Sequence, residues 1–226
     1  MKNKKYANFK EELKLWKQGY RVVVGLDEAG RGPLAGPVVA SAVVFTPAKF
    51  KTQNSKIKIT IQNSKLEEIH DSKKLTVKQR ELWYEILTKQ PYIKWGIGIV
   101  SEKIIDKINI FEATKLAMKK AIQSLGVMPE HLLIDGTFIL EDLAVSQKAI
   151  IRGDEKIFSC AAASIIAKVT RDRIMFRYAK KYRQYGFENH KGYGTKAHCR
   201  ALKKHGPCQI HRQSFRPIKF NQSRHL

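Results

Sequence analysis

The chain has 226 residues, 43 % of them hydrophobic, and carries 43 Lys and Arg against 20 Asp and Glu, a formal net charge of +23. That length suits one large domain or one domain with a small appendage, and no apolar run approaches the ~20 residues of a membrane span. The positive excess favours a polyanionic partner, nucleic acid first, with binding that weakens as salt rises. The basic start is followed by no apolar segment of the kind a secretory signal needs. Cys160, Cys199 and Cys208 show no CxxC spacing and read as reduced thiols, so a cytoplasmic protein is the expectation. His198, Cys199, His205, Cys208 and His211 lie close in sequence, but their spacing matches no standard zinc pattern.

In chain order, Phe9, Leu13 and Trp16 have helical spacing and predict a short first helix. Residues 21–26 read as a central strand and 37–45 as a second. Residues 48–68, rich in Lys, Gln, Asn and Ser, read as an exposed hairpin or loop. Thr76 and Gln79 form a capping-box signature ahead of a helix over 77–87. A third strand follows over 95–100, then a short helix over 101–108 and a longer one over 111–125, stopped by Gly126 and Pro129. Strands over 132–136 and 147–152 and a long helix over 159–182 complete the pattern. The order predicts an α/β sheet of mixed direction, with residues 1–185 as the main domain and 186–226 as a basic C-terminal region.

The segment Gly25-Leu-Asp-Glu-Ala-Gly-Arg-Gly-Pro33 carries the chemistry. Two neighbouring carboxylates at the tip of an apolar strand repel each other, and a divalent cation is the usual remedy. The glycines around Arg31 let a backbone approach a ligand closely. Asp135 ends the fourth strand as Asp27 ends the first, and strand C-termini are where α/β sheets bind ligands. Adjacent strand residues face opposite ways, so Glu28 joins Asp27 only if the chain turns there. Ser164, Lys168 and Asp172 fall on one face of the long helix, which makes Asp172 the predicted fourth acid. Asp154 is read as a turn residue or cap before that helix. Four such acids hold two Mg²⁺ or Mn²⁺ ions about 4 Å apart for in-line phosphodiester displacement.

These residues resemble the ribonuclease HII family. The stretch from Gly25 to Ala40 looks like its signature, and Asp71-Ser-Lys-Lys-Leu75, Leu133-Ile-Asp-Gly136, Ala161 to Asp172, His190-Lys-Gly-Tyr-Gly-Thr195 and Ile210-His-Arg-Gln-Ser-Phe215 recur in the same order. The resemblance implies a ribonuclease H-like mixed five-stranded sheet flanked by helices, with a small helical C-terminal region carrying the Lys-Gly-Tyr-Gly-Thr motif. It implies an endonuclease that cuts RNA in RNA–DNA hybrids and nicks 5′ of single ribonucleotides in duplex DNA, leaving 3′-hydroxyl and 5′-phosphate ends. Asp27, Glu28, Asp135 and Asp172 match its metal-binding acids. Gly30, Arg31 and Gly32 match the loop that contacts the ribonucleotide 2′-hydroxyl, and Tyr193 matches the tyrosine that packs on the sugar beyond the RNA–DNA junction. Lys73, Lys74, Lys168 and Lys191 are expected phosphate contacts, Ser164 is expected to belong to the substrate-binding set, and a monomer is expected. The long lysine-rich stretch from 49 to 68 departs from the family's shorter connection.

Three other readings fit less well. Ribonuclease HIII carries a further N-terminal domain and a lysine in place of Arg31. A Holliday-junction resolvase leaves Arg31 and Tyr193 without a purpose. A non-catalytic basic binding module explains the charge but not acids placed at strand ends, since acids repel phosphate unless a cation intervenes.

Overall fold

A computed structural model of the chain describes residues 7–46 and 75–218. The predicted segment over 48–68, with Lys73 and Lys74, lies outside the described residues. The elements are α1 (Lys10–Lys17), β1 (Val23–Ala29), β2 (Val38–Phe45), α2 (Val77–Lys89), β3 (Ile93–Val100) and α3 (Glu102–Ser124). They continue with β4 (His131–Asp135), β5 (Ser146–Ile150), α4 (Gly153–Lys156), α5 (Phe158–Lys181), α6 (Phe187–His190) and α7 (Lys196–His205). The strands form a five-stranded sheet in the order β3-β2-β1-β4-β5. β1 pairs antiparallel with β2 and β2 antiparallel with β3, whereas β1 with β4 and β4 with β5 are parallel. The mixed sheet read from the sequence is therefore present, and β1 and β4, which carry Asp27 and Asp135, are parallel neighbours.

Period-two alternation decides what each strand feeds to each face. Val38, Ala40, Ala42 and Val44 of β2 join Val24 and Leu26 of β1 against Ile105, Ala117 and Met118 of α3. Val43 and Phe45 turn the other way and pack with Trp83 of α2 and Ala162, Ile165 and Ile166 of α5. The small residues at the start of α5 bring its backbone onto the sheet. At Gly25 the approach is so close that a Cβ would lie 2.4 Å from the backbone carbon of Ser159, which explains a glycine in the buried part of the strand.

The strongest local signals are realised in the fold. Thr76 caps α2 through its side chain, and Gln79 reaches back to the Thr76 N–H at 2.9 Å. The two helices expected over 101–108 and 111–125 form one element interrupted at Asn109, whose φ of 66° is non-helical. Its side-chain oxygen accepts from the N–H groups of Phe111 and Glu112 and so caps the second stretch. Beyond α5, Leu34, Ala35 and Met175 share a buried cluster with Tyr185, Phe187, Leu202 and Ile210, which docks the C-terminal segment against the glycine-rich loop. No helix among the described residues is long and apolar enough to cross a membrane.

Candidate active site

The end of β1 is where the sheet becomes polar. Asp27 faces α5, on the same side as Gly25, and is 5 % exposed. β1 does not turn after it: Asp27 pairs with Ser41, Glu28 with Ala40 and Ala29 with Val39. Alternation then points Glu28 to the opposite face from Asp27. The turn comes at Gly30, with φ of +102°, a conformation open to glycine at little cost. Glu28 stands at the rim of the site, where its Oε1 lies 3.5 Å from Arg31 Nη1.

Three aspartates converge. One carboxylate oxygen each from Asp27, Asp135 and Asp154 lies within 4.8 Å of the others. Asp135 arrives from the tip of β4 and Asp154 from the first turn of α4. The Gly153 N–H donates to Asp135 Oδ1 at 2.7 Å. Burial pushes the Asp27 carboxyl well above its ordinary range, and the charges of Glu28, Asp135 and Asp154 push it further, while a hydrogen bond from Ser164 opposes the rise. Like charges held this close favour a bound cation. An all-carboxylate donor set suits a hard divalent ion such as Mg²⁺ or Mn²⁺, so the residues present fit the metal that the acid pattern implied.

The helical spacing of the sequence makes Asp172 the expected fourth acid, but the converging group among the described residues is Asp27, Asp135 and Asp154, without Asp172. Asp172 sits two turns along α5 from Ser164 and accepts from Lys168 Nζ at 2.8 Å. The acid that reaches the cluster is Asp154, which is 3 % exposed and whose sequence context suggests a turn or cap. A signal for it does exist: Asp154 comes soon after the end of β5, as Asp27 and Asp135 lie near the ends of β1 and β4, with Arg152 at φ 57° making the corner.

Around the acids lies a second set of residues. Tyr193 is 43 % exposed, and Lys168 Nζ lies 5.9 Å from its ring centre. Lys191 Nζ lies 4.1 Å from the ring centre of the exposed Phe176. Gly32 adjoins Tyr193: a Cβ on Gly32 would stand 3.8 Å from Tyr193 Cε1. Tyr193 is fixed from behind. Its carbonyl accepts from His198 Nδ1 at 2.9 Å, and His198 Nε2 meets His211 Nε2 at 3.0 Å. Cys208 N–H donates to His211 Nδ1 at 2.9 Å. With that nitrogen an acceptor, the proton of His211 is on Nε2 and is donated to His198, whose own proton on Nδ1 goes to Tyr193. The histidines and Cys208 thus serve this hydrogen-bonded chain, in keeping with a spacing that matches no standard zinc pattern.

A mixed sheet of this order with clustered aspartates at the parallel strand ends defines a ribonuclease H-like hydrolase. The family model described as Ribonuclease HII matches residues 24–218. The chain is 48 % identical over 207 residues to Ribonuclease HII of Caldicellulosiruptor bescii, covering 92 % of each chain. It is 48 % identical over 202 residues to that of Bacillus subtilis, covering 89 % of this chain and 72 % of the relative. The crystal structure of ribonuclease H2 from Pyrococcus horikoshii superposes with a TM-score of 0.67 at 27 % identity, over 89 % of this chain and 97 % of that one. The chain belongs to the ribonuclease HII family, and it is an endoribonuclease acting on RNA–DNA hybrids.

Proposed function

We propose that this enzyme nicks duplex DNA 5′ of a single embedded ribonucleotide as well as cutting longer hybrids, leaving 3′-hydroxyl and 5′-phosphate ends. The observation that carries this reading is the approach of the Gly30-Arg31-Gly32 loop to Tyr193: a Cβ on Gly32 would stand 3.8 Å from Tyr193 Cε1, and Arg31 of the same loop lies 3.5 Å from Glu28 Oε1. A site that reads one 2′-hydroxyl needs a close-approaching backbone at that sugar and a surface for the deoxyribose that follows. The loop and the half-exposed tyrosine supply the two.

Asp27, Asp135 and Asp154 would hold two divalent ions, Mg²⁺ or Mn²⁺, with Glu28 at the rim contributing charge. When bound, such a pair supplies an activated water and neutralises charge on the scissile phosphate. Ser164 orients Asp27 through its hydroxyl. Asp172 holds Lys168 beneath Tyr193, where its ammonium meets a phosphate of the duplex. Arg31 and Lys191 extend the basic rim, and Lys73 and Lys74 are assigned to phosphate contact from the sequence alone. Residues 1–185 form the nuclease body, and residues 186–226 supply Tyr193 from a basic region. A cytoplasmic setting accords with the three free cysteines among the described residues, and the enzyme is taken to act as a monomer.

Cleavage of a DNA duplex carrying one ribonucleotide, with Mg²⁺ or Mn²⁺ and with chelator, tests the reading. A metal-dependent nick immediately 5′ of the ribonucleotide is expected. Cutting confined to long hybrids would refute it.

A further inference from the structure

Arg171 and Arg212 are both fully buried, and their hydrogen-bond partners are backbone carbonyls. Arg171 donates from Nε to Pro37 O at 3.0 Å, from Nη2 to Ala35 O at 3.1 Å and from Nη1 to Lys191 O at 3.1 Å. Arg212 donates from Nη2 to Gly30 O at 2.6 Å, from Nη1 to Arg31 O at 2.9 Å, and from Nε and Nη2 to Gly36 O at 3.0 and 2.8 Å. A buried guanidinium is tolerated only when its donors are satisfied, and here six carbonyls from two loops satisfy the pair. Leu34 N–H adds a direct tie to Gly192 O at 2.8 Å.

We propose that Arg171 and Arg212 are positioning residues that lock the Gly30-Arg31-Gly32 loop and the Tyr193 loop into one rigid unit and thereby set where the enzyme cuts relative to an RNA–DNA junction. In a trans peptide the C=O and N–H point in opposite directions. Drawing the Gly30 and Arg31 carbonyls inward to Arg212 turns the N–H groups of Arg31 and Gly32 outward, towards the tyrosine and the incoming strand. Arg171 does the corresponding work on the far side. It holds the carbonyl of Lys191, a non-glycine residue kept at φ 51°, a conformation that persists only when its surroundings enforce it. Gly30 also has no room for a side chain against this arginine, since a Cβ there would lie 2.1 Å from Arg171 Nε. The distance between the element reading the ribose and the element reading the next sugar is therefore fixed by two buried side chains that hold the backbone of both elements from behind.

This inference rests on the junction reading proposed above. Its test uses a DNA duplex with a run of four ribonucleotides and one with a single ribonucleotide, cut by the wild type, Arg171→Lys and Arg212→Lys. A lysine keeps the charge but loses the fork, so it cannot span three carbonyls. Wild type is expected to cut the run at one junction-defined position. Each variant is expected to spread its cuts along the run. Each should also lose about 10- to 100-fold in kcat/KM on the single ribonucleotide relative to a uniform hybrid. Cut position is read only from folded molecules, so a lowered folded fraction leaves it unmoved, and two variants in separate elements cover the failure of one to fold. Unchanged cut position with equal losses on both substrates would overturn the positioning role. A wild type that itself shows no junction preference would overturn the underlying junction reading instead.

Discussion

Gly153 donates its backbone N–H to Asp135 Oδ1 at 2.7 Å, and this bond ties the tip of β4 to the turn that delivers Asp154. The next residue after the donor is itself an acid of the cluster, so one short corner orients two of the three converging aspartates. Outer hydrogen bonds of this kind fix the direction of metal-binding carboxylates.

Asp154 and Asp172 are therefore expected to separate in a side-by-side test. Outer partners of metal ligands typically cost 10–100-fold when removed, as an order of magnitude, so Asp154→Asn should lower kcat on an RNA–DNA hybrid by more than about 100-fold. Asp172→Asn releases Lys168 without touching the acids and should cost roughly 3- to 10-fold, mostly in KM, as expected when a phosphate contact loosens. Steady-state cleavage of both variants in Mg²⁺ gives the answer, and equal losses would remove the distinction.

Glu12 presents a different kind of buried acid. Its Oε1 accepts from Ser159 N–H at 2.9 Å in the first turn of α5, and burial raises its carboxyl from 4.5 to about 7. The folded pKa lies above the unfolded one, so this group stabilises the fold least at high pH, its penalty growing as pH rises from 4.5 to about 7. At about 1.4 kcal/mol per pH unit the full effect is on the order of 3 kcal/mol. Glu12→Gln keeps the acceptor and should raise the midpoint of urea unfolding at pH 8 while leaving it nearly unchanged at pH 4.5.

The histidine chain behind Tyr193 runs the opposite way. Burial lowers both His198 and His211 from 6.5 to about 4, and each must stay neutral for its acceptor nitrogen to receive a proton. Their folded pKa values lie below the unfolded ones, so the fold loses stability as pH falls through the window from 6.5 to about 4. Replacing His198 with Gln should flatten that loss in an unfolding series across the window and free the Tyr193 carbonyl. A series unchanged by the substitution would show that the pair does not titrate as a unit.

Much of this architecture was legible where a residue type allowed one reading. The apolar runs of β1, β2 and β4 read as buried strands, Thr76 with Gln79 marks a helix start, and the expected pair of helices over 101–108 and 111–125 matches the two stretches on either side of Asn109. The site was legible in part. Asp27 and Asp135 follow from their place at strand ends. The extension of β1 through Ala29 was hidden, because two acids before a glycine suggest a turn, whereas pairing with β2 carries the strand past them. Asp154 was masked by its local chemistry, since an aspartate after glycine before a helix usually caps it. Arg171 and Arg212 were illegible for a deeper reason: a charged side chain reads as surface, and the six carbonyls that satisfy them converge only when residues 30–37 and 191 meet in space.

The cluster itself makes the last prediction. Without a cation, Asp27 is held against Asp135 and Asp154 in a buried place, and its carboxyl is pushed well above 3.8. Because its folded pKa is raised, this group stabilises the metal-free fold least at high pH, its penalty growing as pH rises above the ordinary carboxylate value. Binding of a divalent ion requires the ionised carboxylates and removes that penalty, so Mg²⁺ or Mn²⁺ should raise the Tm more at pH 8 than at pH 5. Asp135→Asn retains an oxygen for the Gly153 N–H but deletes one of the repelling charges. It should therefore raise the metal-free Tm at pH 8, abolish most of the metal-dependent rise, and lose nearly all turnover while still binding an RNA–DNA duplex. Calorimetry with and without metal at the two pH values distinguishes this from simple damage, which would lower the Tm in every condition.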